Sequence, residues 1–151
     1  MKLYELRQEQ LLPVSLRQAW EFFSTPENLP LITPPDLGFR IISELPPQVH
    51  AGMLATYTVT PFLGIPVKWV TEITHAEEPY FFVDEQRFGP YRFWHHQHHF
   101  RETAAGTEML DLVHYGLPFG LFGRLLSPLV AGRLAEIFAY RRMALNECFA
   151  D

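Results

Sequence analysis

Apolar and polar positions alternate with a period of two over most of the chain and follow a helical period near both ends. Residues 3–12 alternate loosely and predict a first strand, which Pro13 ends. Ser15, with Gln18 three residues on, makes a capping box. Leu16, Ala19, Trp20 and Phe23 then recur at i, i+3, i+4 and i+7, which predicts a short amphipathic helix. Thr25-Pro26-Glu27 restarts a helix, with proline at the first position where its missing N–H does no harm, and Thr33-Pro34-Pro35 stops it. From Gly38 the period is two again, over residues 39–44, 53–61, 67–74, 80–88, 92–101 and 107–115. After Gly120, one stripe of Val130, Leu134, Ile137, Phe138, Arg141, Leu145 and Phe149 predicts a long C-terminal helix.

The connections between strands, such as Phe62-Leu63-Gly64, Gly89-Pro90 and Ala104-Ala105-Gly106, are too short for crossover helices, so the sheet is antiparallel. The pattern therefore predicts an α+β fold in which a curved seven-stranded antiparallel sheet, with two short helices after its first strand, wraps around the long C-terminal helix. That helix is the only element large enough to cover the sheet's apolar face. A curved sheet and a straight helix touch along their margins, which leaves room for a hollow between them.

Composition narrows the function. The 151 residues fit one domain, spanning 1–151, with a core that needs no disulfide or structural metal. Aromatic residues reach 15% and charged residues only 19%, so large rings line the interior. A net charge of −5 argues against nucleic acid as a partner and disfavours an anionic membrane surface. Cys148 stands alone, which excludes an internal disulfide and fits a reducing cytoplasm. Residues 117–130, the most apolar stretch, are broken by Arg124 and Pro128 and are too short for integral membrane association. There is no Gly-rich phosphate loop, nucleophile elbow or HExxH sequence.

Several segments, taken in order, are similar to a known group. These are Phe22-Phe23-Ser24-Thr25-Pro26-Glu27-Asn28-Leu29, Ile32-Thr33-Pro34-Pro35, Val83-Asp84-Glu85-Gln86, Gly89-Pro90-Tyr91, Trp94-His95-His96-Gln97-His98 and Leu117-Pro118-Phe119-Gly120. The chain resembles the START-like, or SRPBCC, superfamily of Bet v 1-like helix-grip proteins, and within it a small bacterial ligand-binding subgroup. The resemblance implies a START-like domain whose cavity holds a small hydrophobic or amphiphilic molecule. It implies no single reaction, since that superfamily includes binders, carriers and some enzymes.

The run His95-His96-Gln97-His98-His99 lies in a predicted strand, so alternation divides it between two faces. Turning Trp94, His96, His98 and Phe100 inward, with Met109, Asp111, Val113 and Tyr115 and with Phe82, Asp84, Gln86 and Phe88 on the flanking strands, leaves Glu85, Arg87 and Arg101 in water. A polar patch of Asp84, Gln86, His96, His98 and Asp111 then sits amid apolar walls of Tyr57, Trp69, Trp94, Phe100, Met109 and Tyr115, with Thr71 and Phe119 also facing the ligand.

Three uses of the patch compete. The polar groups satisfy one another and orient a ligand's polar end. Alternatively, His96 or His98 is a general base oriented by Asp111 in a cyclase or dehydratase acting on a polyketide-like substrate. The third is a cupin-like metal site, for which two histidines in one strand are a weak signal, and the first two readings take neither metal nor cofactor. A fully filled interaction module without a cavity is a further possibility. Leu117 to Gly123 reads equally as a mobile lip of a portal or as a buried turn. Arg124, Arg133, Arg141 and Arg142 fit either an acidic group on a ligand or helix-end and solvated-face charges, and the solvated face is the favoured reading.

Overall fold

The computed structural model describes residues 1–150. Seven antiparallel strands form one open sheet: β1 (Tyr4–Leu12), β2 (Arg40–Ile41), β3 (Leu54–Val59), β4 (Val67–Glu77), β5 (Phe81–Phe88), β6 (Phe93–Thr103) and β7 (Gly106–Gly116). Their order is β1-β7-β6-β5-β4-β3-β2. Helix α1 (Leu16–Phe23) follows β1, and α2 (Gly120–Leu125) and α3 (Ser127–Cys148) close the chain. The capping box forms as the residue types dictate: Gln18 N–H donates to Ser15 Oγ at 3.1 Å, and Ser15 N–H donates to Gln18 Oε1 at 2.9 Å.

Three local expectations change. The segment restarted at Thr25 is a 3-10 helix, Pro26–Ile32, because Pro30 inside it lacks the N–H that an α-helical ladder needs. The strand expected over 39–44 shrinks to Arg40–Ile41: Ser43 Oγ accepts the N–H of Thr56 in place of a ladder bond, and Pro46-Pro47 cannot donate at all. Residues 120–125, not predicted as helix, form the short α2.

The sheet bends where the β4–β5 register shifts, between Val70 and Thr71 and between Ile73 and His75. On its concave side lie two cores. One gathers Trp20, Phe23, Phe82, Phe100, Met109 and Leu145, with Trp20 edge-on to both Phe82 and Phe100. The other gathers Trp94, Val113, Tyr115, Leu134 and Phe138.

Helix α3 is fixed to β1 by two glutamines. Gln8 Nε2 donates to Phe138 O, and Gln10 Nε2 donates to Arg142 O and Asn146 Oδ1, each at 3.0 Å. Two residues of strand advance roughly 6.6 Å and four residues of helix roughly 6 Å, so the spacings match, and Arg142 adds a bond from its guanidinium to Glu9 O across the same seam.

Candidate functional site

Between the sheet, α3 and the 3-10 segment is a cavity of about 380 Å³. Its walls are overwhelmingly apolar, among them Phe22, Phe23, Ile32, Leu37, Phe39, Ile73 and Phe138. Of the residues expected to face a ligand, Tyr57, Trp69, Thr71, Asp84, Trp94, His96, His98 and Phe119 line it. Trp69 and Trp94 meet edge to face with ring centroids 5.2 Å apart.

The remaining expected residues lie elsewhere. Phe100 and Met109 are inward and almost fully buried, but α1 covers them, so they belong to the core. Tyr115 is likewise buried, stacked on Tyr4 at 5.5 Å. Gln86 turns to the β5–β6 connection, where its Nε2 donates to Tyr91 O at 2.6 Å and its Oε1 accepts Tyr91 N–H at 3.0 Å. That pairing satisfies the backbone of the turn and takes Gln86 out of the polar patch. Phe88, at the end of β5 beyond the register shift, is exposed. Asp111 lies behind the two histidines and touches the cavity only through them and through Arg141.

Adjacent strands create the polar wall by register. Asp84 of β5 pairs with His96 of β6, and His98 of β6 pairs with Asp111 of β7. The two imidazoles stack with centroids 3.7 Å apart, and each carboxylate reaches an edge of the stack. His96 Nε2 lies 2.7 Å from Asp111 Oδ1, and His98 Nε2 lies 2.5 Å from Asp84 Oδ2. These short contacts run diagonally across the register, and the approaches between directly opposite residues are longer: His96 Nδ1 is 3.6 Å from Asp84 Oδ2, and His98 Nδ1 is 3.5 Å from Asp111 Oδ1.

Arg141 on α3 completes the wall. It is buried, and its Nε and Nη2 donate to Asp111 Oδ2 and Oδ1 at 3.1 and 3.2 Å. This corrects its placement on a solvated face. The signal was present in the sequence: Arg141 falls on the same stripe as Leu134, Phe138 and Leu145, and an inward Asp111 requires a cation. Arg133 and Arg142 do stay near solvent, Arg133 pairing with Asp36 and Glu136.

The electrostatics follow from burial and pairing. Burial alone would push the Asp111 carboxyl up, but the Arg141 guanidinium, reinforced by His96, holds it well below the usual carboxylate range. Asp84 shows the same contest, and the neighbouring His96 and the bond from His98 bring it below its ordinary value. Burial, aided by the adjacent His96, lowers His98 to about 4 against the opposing pull of Asp84, so this imidazole is neutral. With Asp84 ionised, the proton of neutral His98 belongs on Nε2, which leaves Nδ1 as a bare acceptor. Nδ1 has no hydrogen-bond partner among the described residues. Burial, and then Asp84, raises the Tyr57 phenol, so it stays protonated.

Ligand atoms of Asp84, His96 and His98 lie within 4.8 Å of one another. A tetrahedral ion needs imidazole lone pairs that converge in the ring planes, whereas stacked rings send theirs side by side. His98 Nε2 and Asp84 Oδ2 are instead engaged with each other, and His96 Nε2 with Asp111.

The aromatic helix α1 divides its work: Trp20 is core, while Phe22 and Phe23 face the cavity. The stretch after β7 is not a buried turn, since Phe119, Leu121 and Phe122 are all exposed, and Phe119 also lines the cavity.

No protein-family model matches the sequence, and no curated protein matches it. Solved structures do resemble it. A Thermus thermophilus protein superposes with a TM-score of 0.68 at 19% identity, covering 95% of each chain. The major latex-like protein of Panax ginseng gives 0.69 at 10% identity, covering 99% of each. A Chromobacterium violaceum protein gives 0.71 at 11% identity, covering 98% of this chain and 99% of its own. With the sheet order, the two short segments after β1 and the long last helix already described, these superpositions show that the chain has the Bet v 1-like, or SRPBCC, helix-grip fold.

Proposed function

We propose that residues 1–151 work as one domain that binds or carries a small hydrophobic or amphiphilic molecule in the cavity between the sheet and α3. The observation that carries this reading is an apolar cavity of about 380 Å³ with a single polar wall, a size within the roughly 300–1,000 Å³ typical of small-molecule sites. The wall favours a neutral head that can donate a hydrogen bond. It sets two ionised carboxylates against one guanidinium, which repels a carboxylate ligand, and the ionised Asp84, which lines the cavity, is an acceptor. The lone, exposed Cys148 is in keeping with a cytoplasmic setting.

Native mass spectrometry of gently purified protein, compared with its denatured mass, tests the proposal. The expected result is a reproducible small-molecule adduct that quenches Trp69 and Trp94 fluorescence when added back to stripped protein. A clean apo mass in repeated preparations, with no quenching by any hydrophobic probe, overturns it.

A second reading rests on the His98–Asp84 and His96–Asp111 pairs at the cavity end, which have the contacts of an acid–base dyad. A cyclase or dehydratase of this kind would lose turnover in His96→Ala and His98→Ala while still binding its substrate. If both variants lose affinity alone, the histidines orient a ligand and catalyse nothing.

A further inference from the structure

The mouth of the cavity is marked by residues that both line it and meet solvent: Phe62 on the β3–β4 connection, and Phe119 and Leu126 around α2. Beside them the chain exposes further large apolar side chains, with Leu63 and Ile65 on one flank and Leu121, Phe122 and Leu125 on the other. Leu63 is 93% exposed and Leu125 78%, whereas a contiguous apolar surface on a soluble protein ordinarily marks an interaction site. Backbone conformation adds an independent sign. Among the described residues, the two non-glycine positions with left-handed φ are Leu63 at 56° and Phe119 at 69°. Both stand at the tips of the two apolar flanks, and strain held at such a place indicates a functional surface.

Charge identifies the occupant. Next to the lip is a second hollow that shares Leu117, Phe119 and Leu121 and is lined by Lys2, Arg92 and Arg124, with no acidic residue. All three cations are exposed, and none makes an ion pair among the described residues. The lip's leucines, isoleucine and phenylalanines carry no hydrogen-bonding group with which to set register on a protein partner, and fluid hydrocarbon requires none.

We infer that the protein docks reversibly on an anionic lipid bilayer, inserting the β3–β4 tip and α2 into the acyl boundary while Lys2, Arg92 and Arg124 meet the headgroups. The net charge of −5 is a sum over the whole surface and does not describe this face. Docking here brings the cavity mouth to the lipid, from which a poorly water-soluble ligand enters without crossing water. The assignment stands apart from the identity of any cavity ligand.

Flotation of the whole protein with extruded vesicles tests it, using phosphatidylcholine alone or mixed with phosphatidylglycerol, at low and high salt. The wild type is expected to float with the anionic vesicles and to lose binding as salt rises. Leu63→Glu combined with Leu125→Glu, neither of which lines the cavity, should weaken partitioning at least about tenfold. Arg124→Gln should weaken it about fivefold on anionic vesicles and leave neutral ones unchanged. All variants should keep the wild-type melting temperature and quenching by a cavity probe. Failure of the wild type to bind either vesicle, or equal binding by the apolar variant, overturns docking. Equal partitioning onto neutral vesicles overturns the role given to the cations. A dimer in sedimentation equilibrium that the same variants dissolve, without vesicle binding, would make the lip an interface between copies.

Discussion

Asp84, His96, His98, Asp111 and Arg141 form a group whose charges depend on one another. Removing one partner of a buried charge pair leaves the other uncompensated, at a cost of about 3–5 kcal/mol. Asp111→Asn should therefore lower the urea-unfolding free energy by about that amount, because Arg141 keeps its charge and loses both carboxylate bonds. Adding Arg141→Met to Asp111→Asn should recover most of the loss, and a double variant as unstable as the single one would contradict this account. The same group sets a pH dependence. The unfolded chain protonates His98 near the ordinary 6.5 and the folded chain only near 4, so stability falls as pH drops through that window, by about 3 kcal/mol. The depressed Asp84 and Asp111 withhold their contribution only at still lower pH. In His98→Gln, which keeps a donor for Asp84 without titrating, the slope between pH 6.5 and 4 should flatten in chemical denaturation. Strand alternation grouped Asp84, His96, His98 and Asp111 on one face, but apolar residues on both faces left the inward side open, and keeping Glu85, Arg87 and Arg101 in water decided it. Arg141 was legible as a member of the α3 stripe, but its pairing with Asp111, thirty positions away, was not, since only the packing of α3 brings the two together.

At the scale of elements, two glycines hold neighbours at distances no side chain allows. A Cβ on Gly106 would lie 2.2 Å from Leu12 O, with φ at +139°, where the β6–β7 turn meets the end of β1. Gly106→Ala should cost about 3 kcal/mol in thermal or urea unfolding. A Cβ on Gly123 would lie 2.0 Å from Pro118 O. Here the expected stability loss is smaller, about 1–2 kcal/mol, but α2 must move away from Leu117-Pro118, so stopped-flow quenching should show a changed rate of probe entry. An unchanged entry rate would separate α2 from the mouth. The strands from 53 onward were legible because alternation and turn residues agree. The short second strand and the 3-10 turn were not, because single prolines and one serine side chain decide them against the surrounding pattern. Helix α2 is six residues of glycine, leucine, phenylalanine and arginine, too short to express any period.

For the molecule as a whole, the cavity has a stiff side and a soft one. The long β6 and β7 share eleven paired positions, while the opposite wall is built from a 3-10 turn, a two-residue strand and a six-residue helix. Hydrogen exchange on filling the cavity should slow most in Pro26–Ile32, in Gly120–Leu125 and around Phe62, and little in residues 134–145 of α3. Uniform protection across the chain would refute that division. The overall architecture was predictable from element order, yet the local charge near the mouth was not, because Lys2, Arg92 and Arg124 are remote in sequence and a net charge averages over every face.

The two glutamines that index α3 against β1 also limit how this molecule can change. Because strand and helix are matched two residues to four, the helix cannot creep along the strand in small steps; its next equivalent seat is a full turn away, and reaching it would carry Arg141 off Asp111. Any change in the size or shape of the cavity is thereby channelled into the far wall. Lineages diversifying from this scaffold should accumulate insertions and size changes between residues 25 and 65 and around 117–126, while the α3–β1 seam stays in one register.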